Sequence, residues 1–130
     1  MAQEVVLALY DAWNRGELET VLGLMHPEIK TDYSAGAFPG LDEAYDGHEG
    51  ARKNWRDLRE PWSSLSLQVD EIRGDGDTVV TLFTFEGAGR EGIVVRRQLG
   101  NVLTISDGLI SRLDACANPR SAVEAAGLAE

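Results

Sequence analysis

Residues 101–117 read Asn-Val-Leu-Thr-Ile-Ser-Asp-Gly-Leu-Ile-Ser-Arg-Leu-Asp-Ala-Cys-Ala, two apolar-rich runs joined at Ser106-Asp107-Gly108. An Asp-Gly pair between such runs is a hairpin signal, because the tight turn needs backbone angles that glycine and short polar residues adopt readily. This hairpin closes a longer series of the same kind. Leu65, Leu67 and Val69 alternate, Gly74-Asp75-Gly76-Asp77 marks another turn, and Thr78 to Phe85 is rich in β-branched and aromatic residues. Gly87, Gly89 and Gly92 form a loose connection with room for a bulge. A long strand, Ile93 to Ile105, follows, and Leu109 to Ala117 completes a meander of four strands.

The first half of the chain has a different period. Val5, Leu9, Ala12 and Trp13 fall on one stripe of a helix over residues 3–15, which Gly16 ends. Glu17 to Met25 predicts a second helix with Leu18, Val21, Leu22 and Met25 inward, stopped by Pro27. Ile29 to Tyr33 reads as a short strand. A third helix, His48 to Arg59, presents Ala51, Trp55 and Leu58, then Trp62, on its apolar side. Arg52, Lys53, Arg56 and Arg59 cover its other side, the pattern of a solvated face beside acidic neighbours. Asn118 caps a last helix with Pro119 at its first position, ended by Gly127. Helices gathered in one half and antiparallel strands in the other mean an α+β fold.

At 130 residues the chain is expected to be one domain, able to bury roughly two thirds of its unfolded surface. Its net charge of −10 argues against nucleic acid and against an anionic membrane surface, both of which need a basic face. Cys116 is the sole cysteine, so no internal disulfide exists and a reducing compartment is compatible. The start, Met-Ala-Gln-Glu-Val-Val, lacks the basic and apolar regions of a signal peptide, and no apolar run approaches the roughly 20 residues of a membrane span. A cytoplasmic location is expected.

Residues 32–48, between the short strand and the third helix, show neither period, yet hold three aromatics and four carboxylates. Long irregular connections in compact domains are usually functional, and Tyr33, Phe38, Leu41 and Tyr45 give this one something to bury. It reads as the rim of a pocket. A curved sheet wrapped over a long helix leaves a cone with one open end, and Asp32 sits where that cone opens. Its other reading is an Asx-turn acceptor at the start of the loop. Asp114 shares strand parity with Ile110, Arg112 and Cys116, a mostly inward-looking row, although an Arg112–Asp114 surface pair accounts for it equally well. A two-residue turn at Asp107-Gly108 places Asn101 opposite Asp114, and a three-residue turn places Gly100 there. Arg96, Arg97 and Gln98 lie on the long strand, and an inward arginine would clamp a carboxylate or pair with Asp114. Trp13, Trp55 and Trp62 are core or wall residues. His48 with Asp46 and Glu49 has the geometry of a helix start, not of a metal site. No nucleophilic triad or phosphate-binding loop is present, and no cofactor is expected.

The stretches LYDAWNRGELETVLGLMHPEI, YDGHEGARKNWRDL and NVLTISDGLISRLDACANPRSAVEAAGL resemble the nuclear transport factor 2-like superfamily, in particular its SnoaL-like polyketide cyclase branch. The resemblance covers nearly the whole chain. It implies a conical curved antiparallel sheet wrapped around three helices of the first half, a deep apolar pocket and frequent homodimers packed through the sheet. It also implies roles. Asp32 matches the strand-end position of the general base in ketosteroid isomerases, and Trp55 the place of their helix-borne pocket tyrosine. The protonated acid of those enzymes falls near Gly100, and their key tyrosine has no clear match beside Tyr10. Asp114 matches the acid/base aspartate of SnoaL-like cyclases and of limonene epoxide hydrolases. The latter need a further Arg and Asp on an earlier strand, where this chain has Phe83 and Phe85.

The expected function is cofactor-free acid–base chemistry on a small apolar substrate, with Asp32 or Asp114 as proton shuttle, its pKa raised by desolvation in the cone. Trp13, Tyr33, Phe38, Trp55, Trp62, Gln98, Asn101 and Arg112 are the expected substrate-binding residues. The alternative is a non-catalytic ligand-binding or dimerisation module of the same fold.

Overall fold

Asp107 and Gly108 both take positive φ, 55° and 77°, and so make the two-residue hairpin turn that the Asp-Gly pair predicts. The computed structural model, which describes residues 2–38, 40–74, 76–89 and 91–127, arranges the rest of the chain around that hairpin. Helices α1 (Ala2–Asn14) and α2 (Leu18–Gly23) lead into strand β1 (Met25–Asp32), a short strand β2 (Ala44–Asp46) and helix α3 (Gly47–Arg59). The meander follows as β3 (Trp62–Arg73), β4 (Thr78–Gly89), β5 (Val94–Ser106) and β6 (Leu109–Cys116), with α4 (Pro119–Ala125) last. The six strands form one sheet in the order β2-β1-β6-β5-β4-β3, with β1 parallel to β6 and the other neighbours antiparallel. This is the expected α+β architecture, with a mixed sheet in place of a purely antiparallel one. Asp75 of the β3–β4 turn lies outside the described residues.

Three boundaries differ from expectation. Met25 opens β1 instead of closing α2, although its side chain still enters the core. Pro27 falls where the β1–β6 register shifts, between Met25 and Lys30, so its missing N–H removes no ladder bond. Trp62 begins β3, and residues 44–46 of the irregular segment pair with β1 as an edge strand.

One face of the sheet packs against α1 and α3 around Val6, Leu9, Ile29, Phe83, Leu99, Leu103 and Ile110. Its opposite, outer face carries a smaller cluster of Val80, Val102 and Cys116 beneath Ala122 and Val123 of α4. Asn118 caps α4, its Oδ1 accepting from the Ser121 amide at 2.8 Å.

The β5–β6 ladder holds the irregularity that matters most. Ile105 pairs with Ile110 but Thr104 pairs with Arg112, so Ser111 has no partner of its own. Beyond it Asp114 stands opposite Val102, and Asn101 opposite Ala115. Neither expected register occurs, because both assumed an unbroken ladder.

Gly100 is where α4 meets the sheet: a Cβ there would lie 2.5 Å from that of Ala122. Gly100→Ala is expected to lower stability by about 1–3 kcal/mol, since either the helix or the strand must shift. Urea denaturation followed by circular dichroism measures this, and an unchanged midpoint would contradict the packing described.

Candidate functional site

The helix-packed face contains a narrow cavity of about 50 Å³. Helix α1 contributes Leu9, Tyr10 and Trp13 to its wall, α3 contributes Asn54 and Leu58, and the sheet contributes Phe83, Asn101 and Leu113. At its base the Tyr10 hydroxyl lies 2.6 Å from Thr81 Oγ1 and accepts from Asn101 Nδ2 at 2.7 Å. Thr81 and Asn101 are paired across β4 and β5, so one helix side chain bonds to two adjacent strands. Asn101 Oδ1 is buried without a hydrogen-bond partner among the described residues. An unsatisfied buried carbonyl is costly and calls for a donor. Higher in the cavity the Tyr33 hydroxyl and the Asn54 side chain hydrogen-bond each other at 3.1–3.3 Å. Burial pushes the Tyr10 hydroxyl up to about 12, although its bonds to Thr81 and Asn101 oppose the shift. Burial raises Tyr33 as well, against the opposing bond to Asn54.

A second, wider cavity of about 230 Å³ adjoins the first. Phe38 and Leu58 belong to both walls and separate them. Phe38 packs on Tyr33 and Phe85 at ring separations of 5.8 and 5.3 Å, and Trp62 packs on Phe85 at 5.4 Å. Trp62 reaches that place because residue 87 is glycine, where a Cβ would lie 2.7 Å from the indole ring. Two charged residues join this wall. Asp57 accepts from Lys53 Nζ and the Tyr45 hydroxyl, both at 3.0 Å, and these bonds, the lysine's first, hold its carboxyl below the usual range. Arg97 donates through Nη1 to the Ala37 carbonyl at 2.9 Å.

The structure thus gathers part of the expected site. Trp13, Tyr33, Phe38 and Asn101 line the inner cavity, and Phe38 and Trp62 line the outer one. Trp55 lines neither; it packs edge-on to Trp13 at 5.6 Å, with the Arg59 guanidinium over both indoles at 4.3–4.5 Å. Gln98 faces the outer side, in a shallow groove with Asp70, Leu82 and Pro119.

Asp32, Asp114 and Arg112 also lie on the outer face, which corrects their expected place in the cone. The unpaired Ser111 reverses strand parity: Ile110 and Leu113 point to the core, and Arg112, Asp114 and Cys116 point away. Asp32 pairs with Asp114 across β1 and β6 and therefore shares its side of the sheet. Arg112 bridges the two, at 2.9 Å from Asp114 and 3.5 Å from Asp32. Asp32 also accepts from the Ser34 amide at 2.8 Å and its hydroxyl at 2.6 Å, the Asx turn of its alternative reading. Those bonds lower its pKa, the opposite of the expected shift.

Tyr10, Asn54 and Thr81 were not among the expected site residues. Thr81 carried a usable signal, being the one polar member of the row Val79, Thr81, Phe83, Phe85. Tyr10 adjoins the apolar stripe of α1, whereas Asn54 on a strongly charged helix gave no sign.

A family model described as SnoaL-like domain matches residues 6–113. Solved structures share the fold across nearly the whole chain. TerC, co-crystallised with polyporic acid, is 23% identical with a TM-score of 0.80, over 95% of both chains. A protein of unknown function from Burkholderia pseudomallei, described as nuclear transport factor 2-like, is 20% identical with a TM-score of 0.81, again over 95% of both. A hypothetical protein of ketosteroid isomerase-like fold from Catenulispora acidiphila, in complex with trimethylamine, is 14% identical with a TM-score of 0.77, over 99% of this chain and 96% of that one. No curated protein sequence matches.

The buried phenols generate a pH prediction. Tyrosine in an unfolded chain ionises near pH 10, whereas Tyr10 in the fold does so at about 12. As pH rises the unfolded chain loses its proton first, so this contribution to stability is complete below pH ~10 and declines from there toward pH ~12. Absorbance at 295 nm is expected to show the folded protein resisting tyrosine ionisation at pH ~10.5. Urea midpoints are expected to fall over the same interval, less steeply in Tyr10→Phe. Ordinary titration of all the tyrosines would contradict the burial.

Proposed function

We propose that this chain, which belongs to the SnoaL-like domain family, holds a small, mostly apolar molecule between its helices and its sheet. The observation that carries the reading is Asn101 Oδ1, a buried acceptor without a partner among the described residues, in the wall of a mostly aromatic and aliphatic cavity. A ligand hydroxyl or N–H would satisfy it while the rings around it supply apolar contact, the usual composition of a small-molecule site.

The geometry favours binding over proton transfer. Among the described residues, no carboxylate lines the inner cavity. Its ionisable groups, Tyr10 and Tyr33, are kept neutral by burial and serve as hydrogen-bonding groups, not bases. Asp57 in the outer wall is held ionised by Lys53 and Tyr45, which makes it a weak base. Asp32 and Asp114 lie on the other side of the sheet.

Size adds a requirement. The inner cavity, about 50 Å³, is smaller than the roughly 150 Å³ of apolar cavities that take up benzene. A ring therefore enters the outer cavity first and reaches the Tyr10–Asn101 base only when Phe38 swings aside.

Titration with 2-naphthol, an apolar probe with one hydroxyl, tests this by calorimetry and thermal shift. The wild type is expected to bind and to melt higher. Asn101→Leu is expected to bind about fivefold more weakly, the worth of one hydrogen bond near 1 kcal/mol. Phe38→Ala, which removes the partition, is expected to bind faster. No binding to either the wild type or Phe38→Ala would sink the reading.

A further inference from the structure

We propose that Arg97 makes the outer cavity a carboxylate subsite, so that the preferred ligand is an aromatic acid whose ring lies on Trp62 and Phe85 and whose anionic group meets the guanidinium. This deepens the pocket reading above and rests on it.

Parity places the arginine. Val95, Arg97 and Leu99 form one row of β5, and Arg97 stands opposite Phe85 of β4, on the helix-packed face. An arginine in that row has no role in the core, yet it lines the cavity mouth, where it is exposed to solvent. Its one described hydrogen bond goes to the backbone carbonyl of Ala37, a residue buried in the loop. That bond fixes the guanidinium beside the cavity without neutralising it. A guanidinium has five N–H donors in a planar fork, which leaves donors suited to the two oxygens of a carboxylate.

The surrounding charges sharpen the point. Acidic residues outnumber basic ones, 22 to 12, and Lys30, Arg52, Lys53 and Arg112 each contact a carboxylate. Arg97 contacts none among the described residues. Asp57, the acid in the same wall, already accepts from Lys53 and Tyr45, so its charge is met from the other side. With a net charge of −10, the protein repels anions at long range. A preference for an acid over its neutral analogue therefore has to come from a local cation.

The matched probes are 2-naphthoate and 2-naphthamide, equal in ring and nearly equal in size, titrated by calorimetry at low salt. The wild type is expected to bind the carboxylate at least tenfold more tightly. Arg97→Gln is expected to bring the two within twofold through loss of carboxylate affinity, and Arg97→Lys to keep part of the preference. Melting temperatures of both variants show whether loss of the Ala37 bond loosens the fold; the wild-type comparison does not depend on them. Equal affinities in the wild type, or a preference that survives in Arg97→Gln, overturn the proposal. If 2-naphthol binds and neither matched probe does, the subsite falls alone. If none of the three binds, the pocket reading falls and takes the subsite with it.

Discussion

One unpaired residue, Ser111, decides which side chains this fold offers to its interior. A ladder without it would carry strand parity unchanged from Ile110 to Cys116, so that Arg112, Asp114 and Cys116 faced the helices. With it, Leu113 and Ala115 face them instead. Asp32 follows, because parallel pairing ties it to Asp114 and both to the outer face. The two carboxylates there straddle Arg112 at half-exposed positions, where ion pairs contribute little to stability. Among the described residues, the inner cavity is left with neutral polar groups, Tyr10, Tyr33, Asn54 and Asn101.

Those groups also hold the architecture. Helix α1 is fastened to the sheet at three levels: Gln3 to the Gly74 carbonyl, Tyr10 to Thr81 and Asn101, and Asn14 to both the amide and the carbonyl of Leu67. Hydrogen bonds of this kind specify one depth and rotation of the helix, which apolar contact alone leaves loose. The arrangement that positions α1 thus creates the polar base of the cavity, and its cost is the unpartnered oxygen of Asn101.

The segment after β1 closes the other end. Tyr33, Phe38 and Tyr45 stack edge to face, and β2 anchors the far side of the loop to β1. Between them Ala37 is fully buried and receives Arg97. The loop is held at both ends, while the side chain dividing the two cavities, Phe38, packs on the rings of Tyr33 and Phe85.

Much of this was legible in the residues themselves. The stripe of α1, the alternation of β3 and β4 and the Asp107-Gly108 turn are local patterns, set by helical and strand periods that neighbours do not alter. The aromatic loop was legible in the same way, and Trp13, Tyr33, Phe38, Trp62 and Asn101, expected at a pocket, line the two cavities. The strand β2 was not legible, since three residues become a strand only when the edge of β1 lies beside them. The bulge left one trace, the three-residue spacing of Ile110 and Leu113, which the alternation of Arg112, Asp114 and Cys116 masked. Chain order and residue type determined the fold class and the supply of aromatic and acidic groups. Which of those groups share an interior was decided in three dimensions, because a strand side chain's direction depends on its pairing register, and one extra residue in the strand reverses it.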